Sequence, residues 1–303
     1  MAADTIRFLV SRHAAFYSPL IAAIAAGFLQ GEGYEATYRP LGKGEHARDL
    51  IRAGEIDIAQ AAVSTNWAAI EKGETPADLP VHFAQINQRD GFLLAGRAPD
   101  PEFQWKKLAG AALVADHGGQ PLAMLRYAAH VNGVDWSRIQ VIDAGSPDEM
   151  DAAFRAGRGD YVHLQGPAPQ QLEKDGAGYV VASVGAAMPP VAFSSLMASR
   201  EFLATGTAQA FMRAYRKSRE WVNYMAPEAV ARAEAKFFPA VSREALAAAI
   251  ARYQELGCWH GGVEISREHY EQALAVFLYG GLIARRHAYE QVVVEPPDAL
   301  RHA

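Results

Sequence analysis

The residues best able to do chemistry sit in short polar runs between apolar stretches, and none of these runs is a catalytic motif. Gly42-Lys43-Gly44 holds a cation in a flexible turn. It reads either as a cradle for an acidic group or as a solvated turn. His117-Gly118-Gly119-Gln120 puts two glycines at a helix start, where backbone N–H groups can approach a ligand closely. The same run also reads as a tight strand-to-helix turn. His13, Phe16 and Tyr17 combine ring faces with hydrogen-bonding groups, Phe16 reading more as core than as a ligand shelf. Arg89 beside Asp90 reads as a salt bridge at a hinge or as an anion clamp. A G-x-S-x-G elbow, an H-E-x-x-H pair and P-loop spacing are all absent. The single cysteine, Cys258, allows neither an intrachain disulfide nor a cysteine-rich zinc site, and it reads as an inert buried thiol. The chemistry that fits is non-covalent capture of a small anion or polar heterocycle, with no metal or other cofactor.

The elements that must position these residues alternate. Ile6–Val10 predicts a strand and 18–30 a helix, with Ser18 as cap and Pro19 in its first turn. Strands follow at 34–39, 56–62 and 79–86, separated by helices at 46–53 and 64–72, the latter capped by Ser64. The pattern restarts with apolar 92–95, strands at 111–114, 140–142, 161–164 and 179–183, and helices at 120–132, 147–156 and 168–175. Strand–helix alternation predicts an α/β fold with parallel pairing and right-handed crossovers. After Pro189-Pro190, the strand 191–198 returns the chain towards the first half. Four further helices then fill 207–279 and are expected to buttress the first lobe. The expected division is one lobe of residues 1–90 with 191–303, and a second of 91–190.

In open α/β sheets, ligands sit outside the carboxyl ends of the strands, beside helix N-termini whose free N–H groups favour anions. In the first lobe this rule selects His13, Phe16, Tyr17, Lys43, His46, Ser64, Asn66, Asn87 and Arg89 as candidate ligand-binding residues. In the second it selects His117, Gly118, Gly119, Gln120, Asp143 and Gln165. His163, between Val162 and Leu164, reads instead as a hydrogen-bonded core histidine.

Several runs carry a family likeness: Tyr17-Ser18-Pro19, Ala25-Ala26-Gly27-Phe28-Leu29, Gly31-Glu32-Gly33-Tyr34-Glu35, Leu50 through Ala59, and Pro189-Pro190-Val191-Ala192-Phe193. In these the chain resembles solute-binding proteins of the sulfonate, nitrate and taurine type, a superfamily shared with thiamine-pyrimidine synthases. The resemblance implies a two-lobed clamp of periplasmic-binding-protein type II, with a helical C-terminal segment and the ligand between the lobes. It implies the solute receptor of an ABC-type importer. The alternative is a cytoplasmic enzyme on the same fold, such as a decarboxylase, a dehydratase or a thiamine-pyrimidine-related enzyme, or a ligand sensor. Residues of the synthases and of the related desulfinases do not carry over: Ala61 and Thr65 stand where the synthases have lysine and histidine, and Ala14 and Ala15 where the desulfinases have cysteine.

The bulk composition agrees with a small-molecule binder. The 303 residues are 50% hydrophobic and 21% charged, with net charge −5 and no long run of one sign. That argues against a nucleic-acid partner. No apolar run is long enough to span a bilayer, so no membrane insertion is expected. The expected partners are a small molecule and an ABC permease, and the expected state is a monomer. The N-terminal residues lack a signal-peptide pattern. The expected location is therefore periplasmic for a trimmed mature form and cytoplasmic otherwise.

Overall fold

In a computed structural model, which describes residues 4–115 and 118–297, the first alternating stretch forms β1 (Asp4–Val10), α1 (Ser18–Ala25), α2 (Phe28–Gly31), β2 (Tyr34–Pro40), α3 (Ala47–Arg52), β3 (Ile58–Ala61), α4 (Ser64–Glu71) and β4 (Val81–Asn87). The second forms β5 (Phe92–Gly96), β6 (Ala112–Val114), α5 (Gly119–Val131), β7 (Gln140–Ile142), α6 (Pro147–Arg155), β8 (Tyr161–Gln165), α7 (Ala168–Lys174) and β9 (Tyr179–Ser183). The chain then gives β10 (Ser194–Ala198), α8 (Arg200–Leu203), α9 (Gly206–Tyr224), α10 (Pro227–Glu234), α11 (Arg243–Glu255) and α12 (Arg267–Tyr279). The helix expected over 18–30 is broken in two, because Gly27 adopts φ +78°, a conformation open to glycine.

The strands assemble two five-stranded sheets, ordered β2-β1-β3-β10-β4 and β7-β6-β8-β5-β9. Strands linked through helices pair in parallel, as β1 does with β2 and β3, and β6 with β7 and β8. The expectation of parallel pairing fails for two strands. β10 runs antiparallel between β3 and β4, and β5 antiparallel between β8 and β9. Each arrives from the other sheet through a linker, 88–91 or 184–193, without a crossover helix, so nothing forces it parallel.

The two linkers touch. Arg89 Nη1 donates to the Gly185 carbonyl at 3.1 Å, and a Cβ on Gly185 would lie 2.1 Å from the Asp90 carbonyl oxygen. Backbone cannot yield there as a flexible side chain would. Gly185→Ala is therefore expected to cost about 2 kcal/mol, read from the urea midpoint at unchanged m. The expected Arg89–Asp90 bridge does not form. Arg89 bonds the Gly185 backbone, while the Asp90 carboxylate turns inward to accept from Phe92 N at 2.6 Å.

The C-terminal helices do more than buttress the first sheet. α9 packs on α1 and α2, and α10 on α1, but α11 packs on α7 and α12 on α5 of the second sheet. Ser242 N donates to Gln171 Oε1 at 3.0 Å, and Lys174 pairs with Glu244 at 2.6 Å across the same junction. Ser242 and Ser266 cap α11 and α12 by accepting from Ala245 N and His269 N.

Ser18 and Ser64 do not cap the helices they start. Ser18 is buried, with Oγ 2.8 Å from both Ala15 O and Glu234 Oε2. One hydroxyl proton cannot serve two acceptors. Burial holds the Glu234 carboxyl well above the usual carboxylate range, so the acid donates to Ser18 Oγ and Ser18 donates to Ala15 O. Glu234→Gln, which keeps a neutral donor there, is expected to change stability by less than about 1 kcal/mol by chemical denaturation.

Candidate ligand-binding cleft

The loops at the carboxyl ends of the strands enclose a cleft with two connecting chambers. The outer chamber measures about 890 Å³ and the inner about 310 Å³; Ser11, Arg12, Leu41 and Phe92 line both. β1 delivers Ser11 and Arg12, and β5, the strand crossing from the other sheet, delivers Phe92.

The inner chamber mixes polar and apolar groups, and among the described residues no carboxylate lines it. Ser11, Arg12, Tyr17, Gln60, Ser64, Thr65, Gln120 and Ser194 contribute, with His46 and Arg48 at the α3 side. Gln60 Oε1 accepts from Ser11 N at 2.9 Å and from Ser11 Oγ at 2.6 Å, and Gln60 Nε2 lies 3.3 Å from Ser194 Oγ. These bonds fix the loop after β1. Burial raises the pKa of Tyr17, opposed by the nearby Ser194, the Arg12 charge, Gln165 and Ser11, so its hydroxyl stays protonated. Ser64 Oγ donates to Gln120 Oε1 at 3.3 Å, while Gln120 Nε2 donates to Phe193 O at 2.6 Å. Gln120 thus joins α4, α5 and the returning linker, and holds the two sheets together over the chamber.

The outer chamber is bounded by α6 along its length, by α7 with Asp175 just beyond it, by β8, and by Phe238, Ala240 and Val241 of the α10–α11 connection. His13 lines it but has both ring nitrogens occupied. Nε2 is 2.7 Å from the Phe237 carbonyl, which can only accept, so Nε2 carries the proton. Nδ1 then accepts from the Tyr38 hydroxyl at 2.9 Å, and the ring stacks on Phe238 at 4.4 Å. Burial lowers the pKa of His13, which favours this neutral form. His13 therefore anchors the C-terminal segment over the cleft and offers a ligand only its ring surface.

Of the residues selected from the sequence, His13, Tyr17, His46, Ser64, Gln120 and Gln165 line the cleft. Lys43 does not. Glu45 folds back to accept from Gly42 N at 2.7 Å and pairs with Arg39 at 2.6 Å, so the turn expected to cradle an acid already holds one of its own. Phe16 is core, packed against Tyr253 and Phe193. Asn66 and Asn87 are fully buried and donate to Pro80 O and Phe16 O. Arg89 is engaged at the linkers, as described. Gly118 and Gly119 lie outside the lining, and only Gln120 of that run reaches in; His117 lies outside the described residues. Asp143 follows the edge strand β7 and closes a local turn, accepting from Gly145 N at 2.9 Å.

Sequence reasoning passed over Arg12, Gln60, Phe92 and His163. His163 is fully buried, yet neither ring nitrogen has a hydrogen-bond partner, and it lines the outer chamber. Its ring stacks on Phe92 at 4.5 Å. The signal that could have found it is the period of 2: Gln165, chosen as a candidate, is two positions along the same strand and so shares its face. Cys258 is free and buried, and burial keeps the thiol protonated. Among the described residues, no cluster of three or more metal-ligating side chains is placed to hold a metal.

Two sheets that each contain an antiparallel strand returned from the other, with a cleft between them, define a two-lobed clamp of the periplasmic-binding-protein fold. Within that class, the chain belongs to the NMT1-like family, whose profile matches residues 13–237. It is 26% identical over 288 residues to YtlA of Bacillus subtilis (strain 168), provisionally named a binding protein, covering 93% of this chain and 85% of that one. Among solved structures, it is similar to a zinc-bound ligand-binding component of an ABC-type import system from Staphylococcus aureus. That match has 18% identity and TM-score 0.74, covering 98% of each chain. It is also similar to the alkanesulfonate-binding protein SsuA of Xanthomonas axonopodis pv. citri bound to MOPS, with 16% identity and TM-score 0.72, covering 97% of this chain and 99% of the other. At these identities the structural matches establish the fold. No helix among the described residues is long and apolar enough to cross a membrane.

Proposed function

We propose that the protein binds a small organic acid between two lobes, 4–90 with 191–297 and 91–190, as the solute receptor of an ABC-type importer. The observation that carries this reading is the inner chamber. It holds Arg12, the hydroxyls of Ser11, Tyr17, Ser64, Thr65 and Ser194, and the start of α4, with no carboxylate among the described residues of its lining. Such a site stabilises negative charge, and its size of about 310 Å³ suits the head of a small ligand. The importer role is supported by the structural neighbours, which include a ligand-binding component of an import system and a sulfonate-binding protein. It implies a permease partner, work outside the cytoplasmic membrane and a monomeric receptor. His13 in the outer chamber has both nitrogens committed to the fold, which removes it as a catalytic acid or base.

The test is mass spectrometry of small molecules released from natively purified protein, paired with melting curves in carboxylates and sulfonates. A released acid, or a rise in Tm that grows with acid concentration, is the expected result. Protein that carries nothing and whose Tm is unmoved by any such acid would overturn the reading.

A further inference from the structure

Four polar atoms are buried without a partner on one face of β8: both ring nitrogens of His163 and both amide atoms of Gln165. Both side chains line the outer chamber, next to the inner one through Arg12 and Phe92. Gln165 lies against the Tyr17 hydroxyl and helps to hold its pKa down, but neither amide atom reaches full hydrogen-bond geometry with it. A buried polar group without a partner is costly, and folded chains leave few of them. Four together, opening into a cavity, mark a place where something else completes the bonding.

The type of group follows from the donor and acceptor count. Burial and the nearby Arg12 charge press the pKa of His163 down to about 3, so the ring is neutral and presents one N–H donor and one acceptor. Gln165 adds an N–H₂ donor and a C=O acceptor. An anion would satisfy the two donors and leave both acceptors bare. A cation would do the reverse. Stacking on Phe92 fixes the plane of the His163 ring, and the Gln165 amide is itself planar. A flat group carrying both an N–H and a C=O meets a donor and an acceptor of this face together, which neither an anion nor a cation does.

We propose that His163 and Gln165 determine specificity by reading an uncharged amide-type group, a carboxamide, urea or lactam edge, at the end of the ligand opposite its acid. This rests on the acid-binding reading of the inner chamber. The ligand is then a bifunctional organic acid, with its charged end at Arg12 and Ser64 and its amide end against β8.

The experiment is titration calorimetry with four series of matched chain length: alkanoates, ω-hydroxyalkanoates, dicarboxylates and ω-carbamoyl alkanoates. They are titrated into the wild type and into the Gln165→Leu and His163→Leu variants, with Tm measured on each ligand-free protein. In the wild type the carbamoyl acids are expected to bind at least about tenfold tighter than the alkanoates, because a site built for hydrogen bonds rejects a ligand that cannot make them. That preference disappears in both variants. The ligand-free variants melt no lower than the wild type, since an apolar side chain replaces an unpaired polar one. A preference that persists in the variants overturns the proposal, as do hydroxy acids or dicarboxylates binding as tightly as the carbamoyl acids. A fall in Tm in both variants overturns it too, by assigning the two residues to the fold. Alkanoates binding as tightly as carbamoyl acids overturn it while leaving the acid-binding reading intact. Binding by none of the four series overturns it, and the acid-binding reading falls with it where sulfonates also leave Tm unmoved.

Discussion

Asp90→Asn is expected to make the protein more stable than the wild type above pH 8 and to flatten its pH profile. Asp90 is fully buried at the first linker, with Oδ1 accepting from Phe92 N at 2.6 Å and Oδ2 without a partner. Burial pushes its pKa up to about 8, only partly opposed by the bond from Phe92 N. The groups that feel its charge are Cys258 and Tyr253, both buried, and neither is a cation. The folded pKa is therefore raised above the unfolded one. Its contribution is fully present below the ordinary carboxylate range, near pH 4, and is lost as pH rises through about 8. The loss is of the order of several kcal/mol in that window. Asparagine keeps the acceptor for Phe92 N and removes the proton equilibrium. Urea midpoints from pH 4 to 9 would check it; parallel slopes for the two proteins would refute it.

Arg219→Met is expected to cost about 3–5 kcal/mol, the largest single loss from one substitution in the C-terminal helices. Arg219 on α9 is 3% exposed and donates to the carbonyls of Ile86, Gln85 and His260. Two of these acceptors, the Gln85 and Ile86 carbonyls, lie near the end of β4, just before the chain crosses between sheets. Methionine fills most of the volume but leaves buried carbonyls without donors. Tyr215, one turn earlier on the same helix, also donates to Gln85 O, at 3.0 Å, and would partly hold the position. A drop in the denaturation midpoint at constant m would confirm the cost, whereas a loss below about 1 kcal/mol would show the guanidinium to be incidental.

How much could be read beforehand varied with the kind of interaction. The strand at 140–142 and the helices near 147–156 and 168–175 were legible from local periodicity and from Pro and Ser at helix starts. The antiparallel β5 and β10 were not, because strand direction depends on which sheet a segment enters, and no local residue encodes that. The site followed the same line. The loop positions of Tyr17, Ser64 and Gln120 came from a rule about strand ends, and the structure places them in the cleft. Lys43 was misleading because Glu45, two residues on, competes for the same turn. His163 was hidden by its apolar neighbours Val162 and Leu164, which point to the opposite face. Its lack of partners is a property of the surroundings and is invisible in a string of letters.

The position of β10 bears on how the chain is made. The strands of the second sheet occupy one unbroken stretch, from Phe92 to Ser183, whereas the first sheet needs Ser194–Ala198 between β3 and β4. On a ribosome adding roughly 5–20 residues per second, β1 to β4 emerge several seconds before the strand that joins them. During that interval β3 and β4 have no shared neighbour, and the second sheet receives its last strand, β9, before β10 is made. The lobe that begins the sequence is thus the later one to be completed, and until then its unpaired strand edges are the part of the nascent chain most exposed to wrong partners.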